Sequence, residues 1–409
     1  MDRLMMISSD CHAGAPWYIY RKYLDPQYRE EYDRWSNALL KSVLDEESMK
    51  KQMPFQLETM SAERQKQYLT AMEESMGHLG NWDPTVRARE LDREGIAGEV
   101  VFCDGSQKNY PPFGVGFVLR EFRQKLSYEL RLAGCRAHNR WLAEFVQSNP
   151  GRHAGVALVT MDEPEDTARE IAWARENGLF GGIMLPALQL THDGYESFWH
   201  HPRYEPVWAA CQDYGMPMTT HASAAGPDYG GPRNCASLEN GFVTFRPFWF
   251  LLWSGVFERY PGLKFCPTES SGMAPLWFNG YFDGYLSKQR RPDQVKDAIS
   301  MKPSEYWHRQ CFIGASAHSS RMEIDFREHI GVRNIMWGSD YPHPEGTWPV
   351  SGERTRELFE GVPEDEVRLM IGENCASVYG FDLPAMREIA SRIGPKVSDI
   401  IGPVQNAAA

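Results

Sequence analysis

The chain has 409 residues, 42% apolar and 24% charged, which is enough apolar material for a large core. Its formal net charge of -12 argues against a nucleic-acid backbone as partner, because that needs clustered Lys and Arg. No apolar run approaches the roughly 18 residues of a membrane span, the opening MDRLMMISSD lacks a signal-peptide pattern, and eight Cys lie scattered without a CxxC pair, so a reduced cytoplasmic protein with no membrane partner is expected.

Residues 4–9 read as a buried strand that ends on Asp10-Cys11-His12. In an extended chain, residues i and i+2 share a side. Asp10 and His12 can therefore face one metal ion while Cys11 points away. Residues 13–90 are polar and show helical spacing, with Ser61, Glu63 and Arg64 at one helix start. That is too long for one strand-to-helix connection, so it is expected to be an inserted helical cap over a barrel mouth, an oligomer contact, or both.

Strands and helices then alternate. A helix over VRARELDREGIAG precedes a strand at 99–103 that ends at Asp104. Residues 120–148 are helical, with Trp141, Leu142, Phe145 and Val146 on one face. Strands at 155–160, 181–185 and 217–220 alternate with helices at 163–177 and 204–214, stopped by Gly178 and Gly215. The strand at 217–220 ends on His221. A second insertion, 222–260, begins Gly- and Pro-rich and ends as an aromatic helix, read as core packing, a hydrophobic wall or a dimer face. The strand at 264–267 ends near Glu269, and the helix after it carries Trp277, Phe278 and Tyr281. The strand at 311–313 ends near His318. The run Ile335, Met336, Trp337 turns through Gly338 and Ser339 to present Asp340, followed by the Pro-braced Tyr341, Pro342, His343, Pro344 and Glu345. Residues 364–379 form the last core helix, and the tail after Gly394 is expected to be loose.

Eight strands alternating with helices predict an α/β fold, a (β/α)8 TIM barrel with the helical cap between strands one and two. The barrel unit covers residues 1–394, with a tail at 395–409. Asp10 and His12, His221 and Asp340 fall at strand C-terminal ends. Two imidazoles and two carboxylates can hold a divalent ion such as Zn, Mn or Fe and still leave a position for substrate.

These pieces (SSDCHAG, LDREGIAGEVVF, HNRWLAEF, FGGIMLP, TTHAS, MWGSDYPHPEG and GENCASVYGF) resemble the amidohydrolase superfamily. Within it the resemblance is to family 2, the group of aminocarboxymuconate semialdehyde decarboxylase and the resorcylate-type decarboxylases. It implies Asp10, His12, His221 and Asp340 as metal ligands, with Asp340 doubling as general acid or base. Two departures stand out. Strand one carries Asp-x-His rather than His-x-His or Glu-x-His, and Glu269 stands where better-known decarboxylases place a His. Strand four also lacks the Lys that bridges two metals in other amidohydrolases. Glu269 could bridge or bind a second ion, or orient a His ligand. His318 could ligate a second metal, and His343 could polarise a carbonyl, carry protons or orient its loop. Asp340, His343 and Glu269 are the candidate catalytic groups, and Asp104, Tyr341 and Trp348 candidate pocket-lining positions.

The expected function is a metal-dependent hydrolase or decarboxylase (a C–C lyase) acting on a small cyclic or carboxylated molecule, with one divalent ion per chain or two. The alternative is a non-haem diiron oxygenase on the same barrel. A small-molecule substrate and a homodimer are the expected partners.

Overall fold

The computed structural model describes residues 2–43, 61–74, 79–104, 109–116, 126–186, 198–221, 233–269, 281–284, 298–315 and 321–402. Among them, parallel strands follow in chain order: β1 (Met6–Ala13), β2 (Ile96–Cys103), β3 (His153–Gly155, continued as Ala157–Leu158), β4 (Ile183–Met184), β5 (Met218–His221), β6 (Phe265–Thr268), β7 (Ile313–Ala315) and β8 (Ile335–Trp337). Each pairs with the next. At the β3 break, Val156 N–H donates to Val101 O while Ala157 N–H donates to Gly182 O, so one strand serves both neighbours. The order returns to its start beyond β8. Asp340 N–H donates to Asp10 O at 2.8 Å, and His12 N–H donates to Tyr341 O at 2.7 Å. Ser8 Oγ accepts from Ser339 N–H at 2.8 Å, and Ser9 Oγ donates to Met336 O. The hydroxyls of the first strand thus stitch it to the last.

Two layers of apolar side chains hold this arrangement. Ile7, Val100, Phe102, Val156, Cys266 and Met336 form an inner cluster. An outer cluster packs strand residues such as Met6 and Val101 against the helices α1 (Arg29–Val43), α3 (Pro84–Glu94), α4 (Tyr128–Gln147), α5 (Pro164–Glu176), α6 (Glu205–Asp213), α7 (Arg233–Trp253) and α8 (Pro303–Gln310), while α2 (Ala62–Glu74) contributes to a separate small cluster. α3 starts on an Asp83 cap that accepts from two backbone N–H groups, and it stops where Gly95 takes a left-handed φ of 73°. The stop therefore falls at Gly95 rather than Gly98, and β2 begins three residues earlier than its apolar run suggests. In α7, Phe245 and Phe248 are buried against Trp307, which is core packing.

The cap reaches the barrel through α2. Tyr68 and Ala71 pack with Cys11, Tyr341 and Trp348, and Arg64 donates to the carbonyl of Gly346 in the loop after β8. The last core helix is interrupted by a π-turn at Leu369–Glu373, between Glu364–Arg368 and Asn374–Tyr379. Within the tail, Val397–Ile401 is a helix with Ile400 and Ile401 buried, and Lys396 pairs with Arg3. Those residues are therefore packed rather than loose, because the tail carries its own apolar pair. The helix expected around Trp277 and Phe278 lies outside the described residues, as do residues 44–60 of the cap and 403–409 of the tail.

Candidate metal centre

β1 runs through Asp10, Cys11 and His12 instead of stopping before them. Its register against β2 slips between Ser8 and Cys11, so one extra residue bulges there. Bulges re-aim side chains beside functional sites. Asp10 and His12 face each other, with His12 Nε2 at 3.5 Å from Asp10 Oδ1. Cys11 points the other way, its Sγ 3.1 Å from Ser8 Oγ and 3.2 Å from Ser339 Oγ.

Three strand ends meet at this point. His221, at the end of β5, brings Nε2 to 3.3 Å from Asp10 Oδ1. Asp340, just past β8, brings Oδ1 to 3.1 Å from His12 Nε2. His343 stacks on His12 with ring centroids 4.1 Å apart, and its Nδ1 lies 3.0 Å from Asp340 Oδ1. Glu269 Oε2 lies 3.2 Å from His221 Nδ1. Asp340 and Glu269 hold positive φ angles of 56° and 54°. A non-Gly residue is uncommon in that region, and such conformations cluster at functional sites.

The His12 ring has a defined tautomer. Its Nδ1 lies 3.0 Å from Cys103 O, which can only accept, so Nδ1 carries the hydrogen. In the neutral ring, Nε2 then turns a lone pair toward two carboxylate oxygens. Electron-rich atoms converging in a dry site repel unless something positive lies among them. Nε2 of His12, Oδ2 of Asp10 and both oxygens of Asp340 are buried and make no hydrogen bond among the described residues. Asp10 and Asp340 are 0% exposed, His12 2% and His221 5%. That donor set fits a divalent ion. Three groups offer ligand atoms within 4.8 Å of one another: Asp10, His12 and His221; His12, Asp340 and His343; and Glu269, Asp340 and Glu345.

The charges are strongly interdependent. Burial alone would lower the His221 pKa, but Asp10 and Glu269 outweigh it and raise it to about 9. His343 follows the same pattern: burial opposes its charge, and Asp340 and Asp104 hold it well above the usual range. Burial would raise Asp340, yet His343 and His12 keep its carboxyl well below the ordinary carboxylate value. A site that gathers protonated imidazole against carboxylate exchanges those protons for a cation.

The structure brings Asp10, His12, His221, Glu269, Asp340 and His343 together, whereas His318 lies outside the described residues. Asp104 takes part more directly than a wall residue would. Its Oδ1 is 3.4 Å from His343 Nε2, and its Oδ2 accepts from Asn81 Nδ2 at 2.6 Å. Asp104 also sits at a strand end, a signal it shares with Asp340, whereas Asn81 comes from the insertion and carries no sequence signal. Tyr341 and Trp348 do not line the centre. They pack behind it, edge to face with ring centroids 5.4 Å apart, because the residue after Asp340 turns to the opposite side.

Comparison with known proteins bears on the family. The family described as Amidohydrolase matches residues 82–381. A 2-amino-3-carboxymuconate-6-semialdehyde decarboxylase of Dictyostelium discoideum is 24% identical over 309 residues, covering 74% of this chain and 77% of that protein. A gamma-resorcylate decarboxylase of Polaromonas is 24% identical over 221 residues, 51% of this chain and 65% of that one. Among solved structures, 5-carboxyvanillate decarboxylase of Novosphingobium aromaticivorans, complexed with manganese and 4-hydroxy-3-methoxy-5-nitrobenzoic acid, superposes with a TM-score of 0.60 at 19% identity over 92% of this chain and 96% of that one. With the fold, the strand-end acids and imidazoles and the family match in agreement, the chain belongs to the amidohydrolase family and is an enzyme of it.

Proposed function

We propose that this chain is a metal-dependent decarboxylase, a C–C lyase acting on a small cyclic carboxylate, with Asp10, His12, His221 and Asp340 holding a divalent ion. One observation carries the reading. Buried carboxylates and imidazoles from three separate strand ends converge, and His12 Nε2, Asp10 Oδ2 and both oxygens of Asp340 have no hydrogen-bond partner among the described residues. The relatives support the reaction class, since those named above are decarboxylases by name. Hydrolysis would use the same ligands.

When bound, the ion would supply positive charge that draws a substrate oxygen and stabilises negative charge developing beside it. The rest falls to the chain. Loss of carbon dioxide breaks the ring-to-carboxyl bond and leaves its electron pair on the ring carbon, so a proton must replace the carboxyl group. Asp340 is placed to move that proton through Oδ2. His343, with Nδ1 at 3.0 Å from Asp340 Oδ1 and Nε2 at 3.4 Å from Asp104 Oδ1, holds a proton between the two carboxylates. Glu269 accepts from His221 Nδ1–H and so fixes which ring nitrogen faces the ion. Manganese is the first metal to test, since the 5-carboxyvanillate enzyme was solved with it.

The test is carbon dioxide release from a panel of hydroxylated benzoates. Activity on at least one ring carboxylate should vanish on chelation and return with Mn²⁺. Full activity in protein shown by elemental analysis to be metal-free sinks the proposal.

A second reading has one specific support, the convergence of Glu269, Asp340 and Glu345. Those carboxylates would suit a second ion, and two irons would suit oxygen activation. Two irons per chain together with substrate-dependent oxygen consumption would favour a non-haem diiron oxygenase over the decarboxylase. A homodimer and a cytoplasmic location belong to the proposal too, to be checked by sedimentation and by fractionation.

A further inference from the structure

Behind the proposed metal ligands, on the outer side of the barrel wall, lies an ion pair with no solvent contact. Arg87 on α3 and Glu99 on β2 are both 0% exposed. The pair is bidentate: Arg87 Nε donates to Glu99 Oε1 at 2.8 Å and Nη2 to Oε2 at 2.6 Å. Glu99 Oε1 is also 2.8 Å from Nδ1 of His153, itself buried on β3. Desolvating two charges is expensive, and a well-packed apolar pair of similar volume is often neutral or better for stability. Stability alone is therefore a poor account of this pair.

Its remaining contacts suggest a different one. Arg87 Nη1 donates to the carbonyl of His12 at 2.9 Å. The guanidinium also lies over the Tyr341 ring, 4.4 Å from its centroid. His12 N–H in turn donates to Tyr341 O at 2.7 Å. One side chain thus touches both residues at the seam where β1 meets the continuation of β8. One of the two is His12, and the other directly follows Asp340. Glu99 holds the guanidinium plane, and His153 holds Glu99. A guanidinium can grip a carboxylate with two N–H groups, donate a third to a carbonyl and still offer a face to an aromatic ring. An ammonium cannot do all three.

We infer that Arg87, oriented by Glu99 and His153, is a positioning residue that fixes the separation of His12 from Asp340 and so sets how tightly the centre holds its ion. The inference rests on the metal-dependent reading above.

The experiment uses three forms of the full chain: wild type, Arg87→Lys, and Arg87→Met combined with Glu99→Leu. The double substitution removes both charges together, so neither is left buried alone. Mn²⁺ affinity is measured by calorimetry on chelator-stripped protein, and thermal unfolding of the same metal-free samples is followed in parallel. Mn²⁺ affinity is expected to fall 10-fold to 100-fold in both variants, the range typical of lost outer partners of metal ligands. The double variant should meanwhile unfold near the wild-type temperature. Unchanged Mn²⁺ affinity in a folded double variant overturns the inference, whatever its melting temperature. A wild-type chain that binds neither Mn²⁺ nor another divalent ion sinks the metal-dependent reading and takes this inference with it.

Discussion

Asp340 carries three demands at once. Its backbone takes a φ of 56°, its side chain is fully buried, and its Oδ1 stands between the imidazoles of His12 and His343. A short carboxylate tolerates the left-handed region better than most side chains. The charged His343 beside it keeps it ionised, which suits a group that must accept a proton and return it. Asp340→Asn keeps the shape and one oxygen for an ion but cannot carry a proton. The variant should bind Mn²⁺ stoichiometrically yet lose turnover by about 100-fold or more, the usual contribution of a positioned acid or base. Metal content and carbon dioxide release, measured on one preparation, decide it; turnover within a few-fold of wild type would remove Asp340 from the proton path. Glu269 shows how far a sequence can go at this scale. Its place at a strand end was legible from PTESSG, because an acid directly after an apolar run is visible in one dimension. Whether it faces an imidazole or an ion is a matter of side-chain geometry. Here it lies 3.2 Å from His221 Nδ1.

Among the elements, the strands were legible because each is a short apolar run closed by Gly, Pro or a polar residue. The errors lie at their ends. β1 continues through Asp10 and His12 because Cys11 and His12 pair as strand against β2, while Asp10 O and His12 N–H bond to Asp340 and Tyr341, tertiary contacts that no local pattern encodes. The segment GENCASVYGF was legible as helix, but its structural task was not. Gly372 sits so close to the carbonyl of Met5 that a Cβ would strike it. Two residues on, Asn374 Nδ2 donates to Val332 O and Ile335 O, both at 2.8 Å, and so fastens the helix to the start of β8. Asn374→Ala removes both bonds and leaves the buried carbonyl of Ile335 bare. A loss of about 1–3 kcal/mol of stability is expected, read from urea unfolding. Because the change lies at the strand's entrance and not its exit, the Mn²⁺ affinity of folded protein should hold. A variant as stable as wild type would show that the fastening does no structural work.

At the scale of the whole molecule, the insertion after β1 has to be tied to the barrel, and one tie is sensitive to acid. Tyr20, at the start of the insertion, accepts from Ala15 N–H and places its hydroxyl 2.9 Å from Nδ1 of His138, on α4. The hydroxyl proton is then free to go to Nδ1, which makes the imidazole an acceptor and requires it to be neutral. His138 is 0% exposed. Burial lowers its pKa from the ordinary 6.5 to about 3. The sign follows from linkage. Between about pH 6.5 and pH 3 the unfolded chain binds a proton at this position and the folded chain does not. The contribution is fully present above the unfolded pKa and is lost as pH falls through that window, at about 1.4 kcal/mol per pH unit. His138→Gln keeps an acceptor for the Tyr20 hydroxyl and removes the titration. The variant should be less stable than wild type at pH 7, since a different shape now fills a tight site. Its stability should nevertheless decline less steeply on acidification, by the equivalent of one proton. Urea unfolding at pH 7 and at pH 5 isolates this residue, because every other titrating group is common to both proteins and cancels in the comparison. Parallel declines in the two proteins would mean that His138 gains its proton without cost in the folded state, and that the joint between insertion and barrel does not depend on its neutrality.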